Sequence, residues 1–293
     1  MKKILIITNP YSGKKQASKI LSDILDVFNK TPIETITTEY KNHPYKIANT
    51  IDFGELTGIV VIGGDGTMHE VINGMFARSD NKKIPIGLIP GGTGNSFMHD
   101  LNCLNPIDAV NQIIKMKTRK IDLVKIKTDN KIIYSFNVSG WGMPPDINIL
   151  AEKMRWMGPQ RYNIASLIEI MKFKKRKCRL IINDENILDD YSFVLCCNTI
   201  HTGKGMKIAP KAKLDDGLMD VVAVKKTNRL QLLKLFPKIF SGDHIDHPVV
   251  KYHQVKSISI KPDINSALII DGEILGKTPC EMELVANAIE IFN

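Results

Sequence analysis

Long hydrophobic runs are missing from this chain. Those present, such as residues 193–197, fall far short of the roughly 18 residues that a membrane-spanning helix requires. Met1-Lys2-Lys3 passes directly into a short strand-like run, so no leader peptide is expected. Cysteine is scarce and odd in number. Cys103, Cys178, Cys196, Cys197 and Cys280 show no C-x-x-C spacing, so neither a disulfide framework nor a zinc knuckle is expected, and the thiols read as core filler in a cytoplasmic protein. The G-x-x-x-x-G-K-[ST] phosphate loop is absent, as is a G-x-G-x-x-G turn after the first strand, which argues against a P-loop enzyme and a dinucleotide-dependent dehydrogenase. No Ser/His/Asp or Cys/His arrangement emerges, and His69 reads as a packing or surface residue rather than a ligand. Aromatic residues make up only 6% and are not interleaved among the basic ones, and with no DNA or RNA motif this argues against nucleic-acid binding.

What is present is an ordinary globular composition. With 43% hydrophobic and 24% charged residues, the 293-residue chain is neither disordered nor collagen-like, and its length suits two domains. Lys and Arg number 40 against 31 Asp and Glu, and the net charge of +9 biases the protein toward nucleic acid, an anionic membrane surface or phosphorylated ligands. Up to about residue 120, short β-branched runs alternate with helical stretches, the grammar of βαβ units around a parallel sheet. Residues 3–8 read as a buried strand, 12–30 as a helix and 33–38 as a strand. The apolar run at 59–62 ends in Gly63-Gly64-Asp65-Gly66-Thr67 and leads into a helical stretch at 68–78. The same order returns at 86–89, followed by Pro90-Gly91-Gly92-Thr93-Gly94-Asn95. Beyond residue 120 the strand-like runs dominate and predict a mainly β, sandwich-like domain over 121–293, interrupted by helices at 160–174 and 228–240.

Glycines at a strand-to-helix junction let backbone approach a phosphate, while the helix N-terminus offers unpaired N–H groups and a partial positive charge. Gly63-Gly64-Asp65-Gly66-Thr67 therefore reads as a phosphate loop, in which Asp65 bridges through Mg²⁺, accepts a proton from an attacking hydroxyl, or merely caps a helix. The loop around Gly92 would open at the same sheet edge, and Asn9-Pro10-Tyr11-Ser12-Gly13-Lys14 adds a third loop with a hydroxyl and a lysine. Glycine loops, lysines, Mg²⁺ and one or two carboxylates suffice for phosphoryl transfer.

At these residues the chain resembles the diacylglycerol kinase catalytic-domain superfamily, which also contains sphingosine and ceramide kinases. The likeness rests on N-P-x-S-G-K at 9–14, G-G-D-G-T-x-x-E-V-x-N-G at 63–74, P-G-G-T-G-N at 90–95, D-D-G-x-x-D at 215–220, and D-G-E followed by G-K-T-P at 271–279. It implies an N-terminal α/β domain of the NAD-kinase and phosphofructokinase type over 1–120, a C-terminal β-sandwich over 121–293, and an active site in the cleft between them. It further implies that Asn9, Pro10, Ser12, Gly13, Lys14, Thr38, Gly63, Gly64, Asp65, Gly66, Thr67 and Thr93 line an ATP site. Asp271 and Glu273 resemble the family's catalytic acidic pair, either of them the base, and Lys213, Asp216 and Leu218 resemble a structural Mg²⁺ site built from one carboxylate and backbone carbonyls. A plain turn between strands is the alternative for that last segment.

The expected activity is ATP-dependent phosphorylation of a lipid alcohol, either diacylglycerol or a sphingoid base. The stretch from Trp141 to Asn148 resembles the lipid-recognition region of sphingosine kinases and would set Asp146 near a polar head, whereas G-G-D-G-T, G-G-T-G-N and D-D-G read like bacterial diacylglycerol kinases. A solvated loop carboxylate is the alternative for Asp146. Such a protein must dock peripherally on membranes, and the run Lys172, Lys174, Lys175, Arg176, Lys177 and Arg179 beside Met171 and Phe173 suits an anionic leaflet. Self-association as a homodimer is left open. The rival readings are a soluble-metabolite kinase of the NAD-kinase type and a non-catalytic nucleotide- or lipid-binding regulator.

Overall fold

The apolar runs that head each βαβ repeat become strands buried on both faces, as a parallel sheet covered by helices requires. In a computed structural model, every residue is described except Met1, residues 13–15, 29 and 30, Thr93, Phe173, Lys175, Lys204 and the side chain of Pro159. The chain divides into two units, Met1–Leu123 with Ala286–Asn293, and Val124–Val285.

In the first unit, β1 (Lys3–Thr8), α1 (Ala17–Phe28), β2 (Ile33–Thr37), α2 (His43–Thr50), β3 (Leu56–Gly63), α3 (Asp65–Phe76), β4 (Ile86–Pro90), α4 (Ser96–Asp100) and α5 (Pro106–Ile113) follow in order, and β5 (Thr118–Thr128) begins there. The strands β4, β3, β1 and β2 lie side by side and parallel, with Thr8 opposite Ile62 and Gly63 opposite Pro90. That register brings the loops after β1, β3 and β4 out at one carboxyl edge, where ligands of open α/β sheets bind. Helix α5 starts at Asn105, whose Oδ1 accepts from the Ile107 N–H at 2.8 Å, with Pro106 at the helix start.

The second unit holds β6 (Lys131–Ser135), β7 (Val138–Gly142), α6 (Met143–Lys153), α7 (Arg161–Lys172), β8 (Arg176–Ile182), β9 (Glu185–Cys197), β10 (His201–Thr202), β11 (Met206–Lys207), β12 (Met219–Lys225), α8 (Arg229–Ser241), β13 (Val250–Val255), β14 (Ser257–Pro262), β15 (Ala267–Ile270), β16 (Glu273–Lys277) and the start of β17 (Cys280–Phe292). Its main path runs β16-β15-β7-β9-β8-β14-β17, antiparallel throughout, and β12 joins β9 to β13. Alternation along β9 feeds two cores. Val194 and Cys196 join Trp141, Cys178 and Cys280 in one, while Phe193, Leu195 and Cys197 join Val222, Leu232 and Leu235 in the other. All five thiols are free and buried.

Two features differ from the sequence reading. The terminal Ala286–Asn293 clusters with the first unit: Ile291 pairs with Ile86, and Asp122 accepts from the Asn287 N–H at 2.7 Å. Buried apolar residues at Ile289, Ile291 and Phe292 carry β17 through this segment. The second difference is α6, a third helix in the second unit. Pro144 and Pro145 suggest a loop, but proline near a helix start removes no intrahelical hydrogen bond.

Candidate active site

Three loops at the carboxyl edge of the first unit are laced together. The Asn9 Nδ2 donates to Thr67 Oγ1 at 3.1 Å, the Ser12 hydroxyl to the Gly91 carbonyl at 3.2 Å, and the Gly91 N–H to the Gly63 carbonyl at 2.7 Å. The loops touch backbone to backbone: a Cβ on Gly92 would lie 2.6 Å from the Gly64 Cα, and one on Gly64 would lie 3.1 Å from the Gly92 Cα. A side chain at Gly92 would push the facing backbone away, and one at Gly64 would need it to give by a few tenths of an ångström. Helix α3 starts at Gly64 without a side-chain cap, so its first N–H groups and its dipole face the edge these loops form.

Asp65 and Gly66 are half-buried at the head of α3, and Thr67 is buried. The Asp65 carboxylate reaches the next loop, where Oδ2 accepts from the Ser96 N–H at 2.8 Å and Oδ1 from the Phe97 N–H at 3.2 Å. It caps a helix, but α4 rather than its own. Thr38 is buried just past β2 and donates its N–H to the Thr8 carbonyl at 2.9 Å, while Pro10 lies half-buried in the first loop. Gly13, Lys14 and Thr93 lie outside the described residues. The backbone contact between loops is what a polyphosphate-binding edge needs, so the residues present fit a nucleotide.

In the second unit, Asp271-Gly272 is the two-residue turn that joins β15 to β16, with Ile270 paired to Glu273. Both turn residues have positive φ, 49° and 89°, the geometry for which Asp-Gly is favoured. Asp271 is buried and turned inward. Its Oδ1 accepts from the Ser135 hydroxyl at 2.7 Å and the Asn137 N–H at 2.9 Å, and its Oδ2 from the Phe136 N–H at 3.3 Å. Glu273, first residue of β16, is exposed. The Asn148 Nδ2 donates to the Gly272 carbonyl at 2.9 Å and ties α6 to the turn. Asn148, Ser135 and Asn137 are supports that sequence reasoning missed; they lie more than a hundred residues from the turn, and no local pattern marks them.

Asp146 sits in the first turn of α6, and its Oδ2 accepts from Lys174 Nζ at 2.6 Å and Arg176 Nη2 at 2.5 Å. Lys172 pairs with Glu169 at 2.5 Å. Three bases of the cationic run thus meet local carboxylates, and Phe173 and Lys175 lie outside the described residues.

At 213–218 the chain turns on Asp216, whose Oδ1 accepts from the Leu218 N–H at 3.1 Å, with Gly217 at φ 76°. Lys213 and Asp216 are exposed and Leu218 is half-buried. Among the described residues no cluster of three or more His, Cys, Asp or Glu could hold a metal. One carboxylate with backbone carbonyls is an oxygen-only donor set that suits Mg²⁺, which keeps several waters, so the residues fit it. Asp220, the last acid of that motif, is fully buried and accepts from the Tyr252 hydroxyl at 2.5 Å. Burial raises its pKa to about 6, with the Asp216 charge adding and the Tyr252 hydrogen bond opposing.

A parallel α/β unit with glycine loops laced at one edge, followed by a β-sandwich-like unit with an acidic hairpin turn, is the build of a phosphotransferase. Residues 3–126 match the diacylglycerol kinase catalytic domain, and residues 138–293 match the YegS C-terminal NAD kinase beta sandwich-like domain. The chain is 30% identical to a diacylglycerol kinase of Mycobacterium tuberculosis (strain ATCC 25618 / H37Rv), with 99% of this chain and 94% of that protein covered. It is 29% identical to sphingosine kinase 1 of Arabidopsis thaliana, with 94% of this chain and 69% of that protein covered. The crystal structure of a diacylglycerol kinase from Bacillus anthracis str. Sterne shares the fold with a TM-score of 0.78 at 22% identity, covering 99% of this chain and 96% of that one. The chain belongs to the diacylglycerol kinase catalytic-domain family of lipid kinases.

Proposed function

We propose that the protein transfers the γ-phosphoryl group of ATP to the hydroxyl of a neutral lipid alcohol of the diacylglycerol type. The observation that carries this reading is the pairing of Asp146. An ammonium head group would have to displace two cations, Lys174 and Arg176, that already meet this carboxylate at 2.6 and 2.5 Å. A head bearing only hydroxyls faces no such competition. The interlocked glycines and the uncapped head of α3 support nucleotide binding through backbone N–H groups, with Asn9, Ser12 and Thr67 keeping the loops in register.

Of the two acids in the hairpin turn, Glu273 is the one we assign as general base. It is exposed, whereas three donors engage the carboxylate of Asp271 inside the unit, and a base must reach the hydroxyl it deprotonates. Glu273 would take the acceptor proton as its oxygen attacks the γ-phosphorus, and Asp271 would hold the turn. Asp65, fixed by the Ser96 and Phe97 N–H groups, would stand by the nucleotide as an anionic anchor. Lys213, Asp216 and Leu218 would hold a structural Mg²⁺, which supplies charge that fixes this turn.

Purified protein with γ-labelled ATP, offered diacylglycerol, sphingosine and NAD in parallel, tests the reading. Label should enter the phosphorylated glycerolipid. Label in the dinucleotide alone would make the protein a soluble-metabolite kinase, and none anywhere would make it a binding protein.

A further inference from the structure

The motif that spans residues 271–279 has two halves. D-G-E supplies the hairpin turn and Glu273, whereas G-K-T-P at 276–279 has no part in the chemistry proposed above. Glu273 heads β16, an outer strand whose one strand neighbour among the described residues is the four-residue β15. Their pairing is irregular: Ile270 meets Glu273 and Ile269 meets Ile274, but the register shifts before Ala267 meets Lys277. Leu275 is half-buried against a core, and none of the five β16 residues is fully buried. Pairing and packing alone hold such a strand loosely.

Bonds from outside the strand fix both of its ends. At the tail, Thr128 of β5 is buried. Its hydroxyl accepts from the Lys277 N–H at 3.0 Å and donates to the Lys277 carbonyl, so one side chain engages both backbone groups of one residue. Gly276 makes room for this contact: it has φ 69°, and a Cβ there would lie 2.6 Å from Thr128 Cγ2 and 2.9 Å from Oγ1. Thr278, also buried, donates its N–H to the Ser266 carbonyl at 3.0 Å and accepts from the Ser266 N–H on its hydroxyl at 3.0 Å. At the head, Asn148 Nδ2 donates to the Gly272 carbonyl at 2.9 Å, in the peptide that leads into Glu273. Helix α6, which carries Asn148, is held in turn through Asp146 by Lys174 and Arg176.

We infer that Thr128 and Asn148 are positioning residues for Glu273: from two separate elements they set where the carboxylate at the head of β16 stands. The inference rests on the proposed function with Glu273 as base. A base must come within about 2.6–3.2 Å of the group it deprotonates, and a misplacement of about 1 Å can cost a hundredfold. An exposed side chain on an outer strand gets that precision through its backbone. G-K-T then serves the same chemistry as D-G-E, by holding the far end of the strand.

The clamp and its effect on turnover are read separately. In hydrogen exchange without ATP or acceptor, amides of residues 272–277 should exchange at least about tenfold faster in Thr128→Val and in Asn148→Ala, while Thr128→Ser, which keeps the hydroxyl, should match wild type. The two loosened variants should lower kcat by about ten- to a hundredfold with KM for ATP unchanged. In a Glu273→Gln background the same changes should cost nothing further, because residues that act through one group are not additive. A loss that repeats in that background would make both residues plain structural supports and overturn the inference. So would wild-type kcat in both variants beside a crippled Glu273→Gln. Should Thr128→Val melt early, Asn148→Ala at its half-buried site carries the comparison. Full turnover by Glu273→Gln would remove the base from β16, and the positioning role with it. A wild type that phosphorylates no lipid refutes the function, whereas wild-type exchange in the variants refutes the clamp whether or not the protein turns over.

Discussion

Asp65 in the first unit and Asp271 in the second are both held by backbone N–H groups, yet their surroundings differ. Asp65 stays half-buried at the head of α3 and spans from one loop to the next, meeting Ser96 and Phe97. Asp271 is 6% exposed and turned into its own unit, where a serine hydroxyl and two N–H groups engage it. The first unit builds its site from backbone, through close glycine contacts between loops. The second uses a hairpin turn to hold one acid inward and leave the next, Glu273, outward. A carboxylate engaged by several buried donors serves structure best, and one that reaches solvent can exchange a proton.

Removing the outward acid should have the largest effect. Glu273→Gln should lower kcat by about a hundred- to ten-thousandfold, the range for a lost acid/base group, with an unchanged melting curve. Turnover near wild type would move the base elsewhere. Asp65→Asn removes the charge and one of the two oxygens that meet the Ser96 and Phe97 N–H groups, so phosphoryl transfer should fall at least about tenfold together with a loss of stability of about 1–3 kcal/mol. Asp271→Asn should act mainly on stability. An amide cannot accept from all three donors, so stability should drop by about 2–3 kcal/mol, read as a melting temperature lower by roughly 5–10 °C. A stable but inactive Asp271→Asn would reverse the roles assigned to the two acids.

Smaller effects test the rest of the second unit. Asp216→Ala should abolish any rise in melting temperature on adding Mg²⁺, because a ligand bound only to the native state stabilises it by mass action. Equal curves with and without Mg²⁺ in wild type would show that the turn needs no metal. His244 gives the smallest signal. It is fully buried and its Nε2–H donates to the Ile208 carbonyl at 3.0 Å. Burial pulls its pKa below 6.5, against the opposing pull of the Ile208 and Lys238 carbonyls and of Asp243 and Asp246. The unfolded chain therefore takes up the proton first, and stability should decline as pH falls from about 6.5 toward the depressed native value. His244→Gln should flatten that slope in urea titrations.

Legibility in the sequence followed the range of the interaction. The buried runs of β1, β3 and β4 and the glycine turns after them are contiguous, so the parallel sheet and its ligand edge could be read directly. The Asp-Gly hairpin signal at 271–272 is equally local, but the strand it leads into, β16, is five residues long with a glycine inside and carries little strand signal of its own. Helix α6 was hidden by its starting prolines. The partners of Asp146 lie 28 and 30 residues further on, where the run of bases read as a membrane patch on its own. Such pairings depend on how α6 meets β8, which no window of sequence contains.

Acceptor choice is read from kcat/KM for diacylglycerol and for sphingosine, each in mixed micelles with the same γ-labelled ATP. A charge-assisted hydrogen bond denied to the ammonium is worth roughly 1.5–3 kcal/mol, so diacylglycerol should be favoured by about tenfold or more. Equal values, or a preference for sphingosine, would mean that Asp146 gives up Lys174 and Arg176 to a cationic head and that the acceptor is not a neutral lipid alcohol.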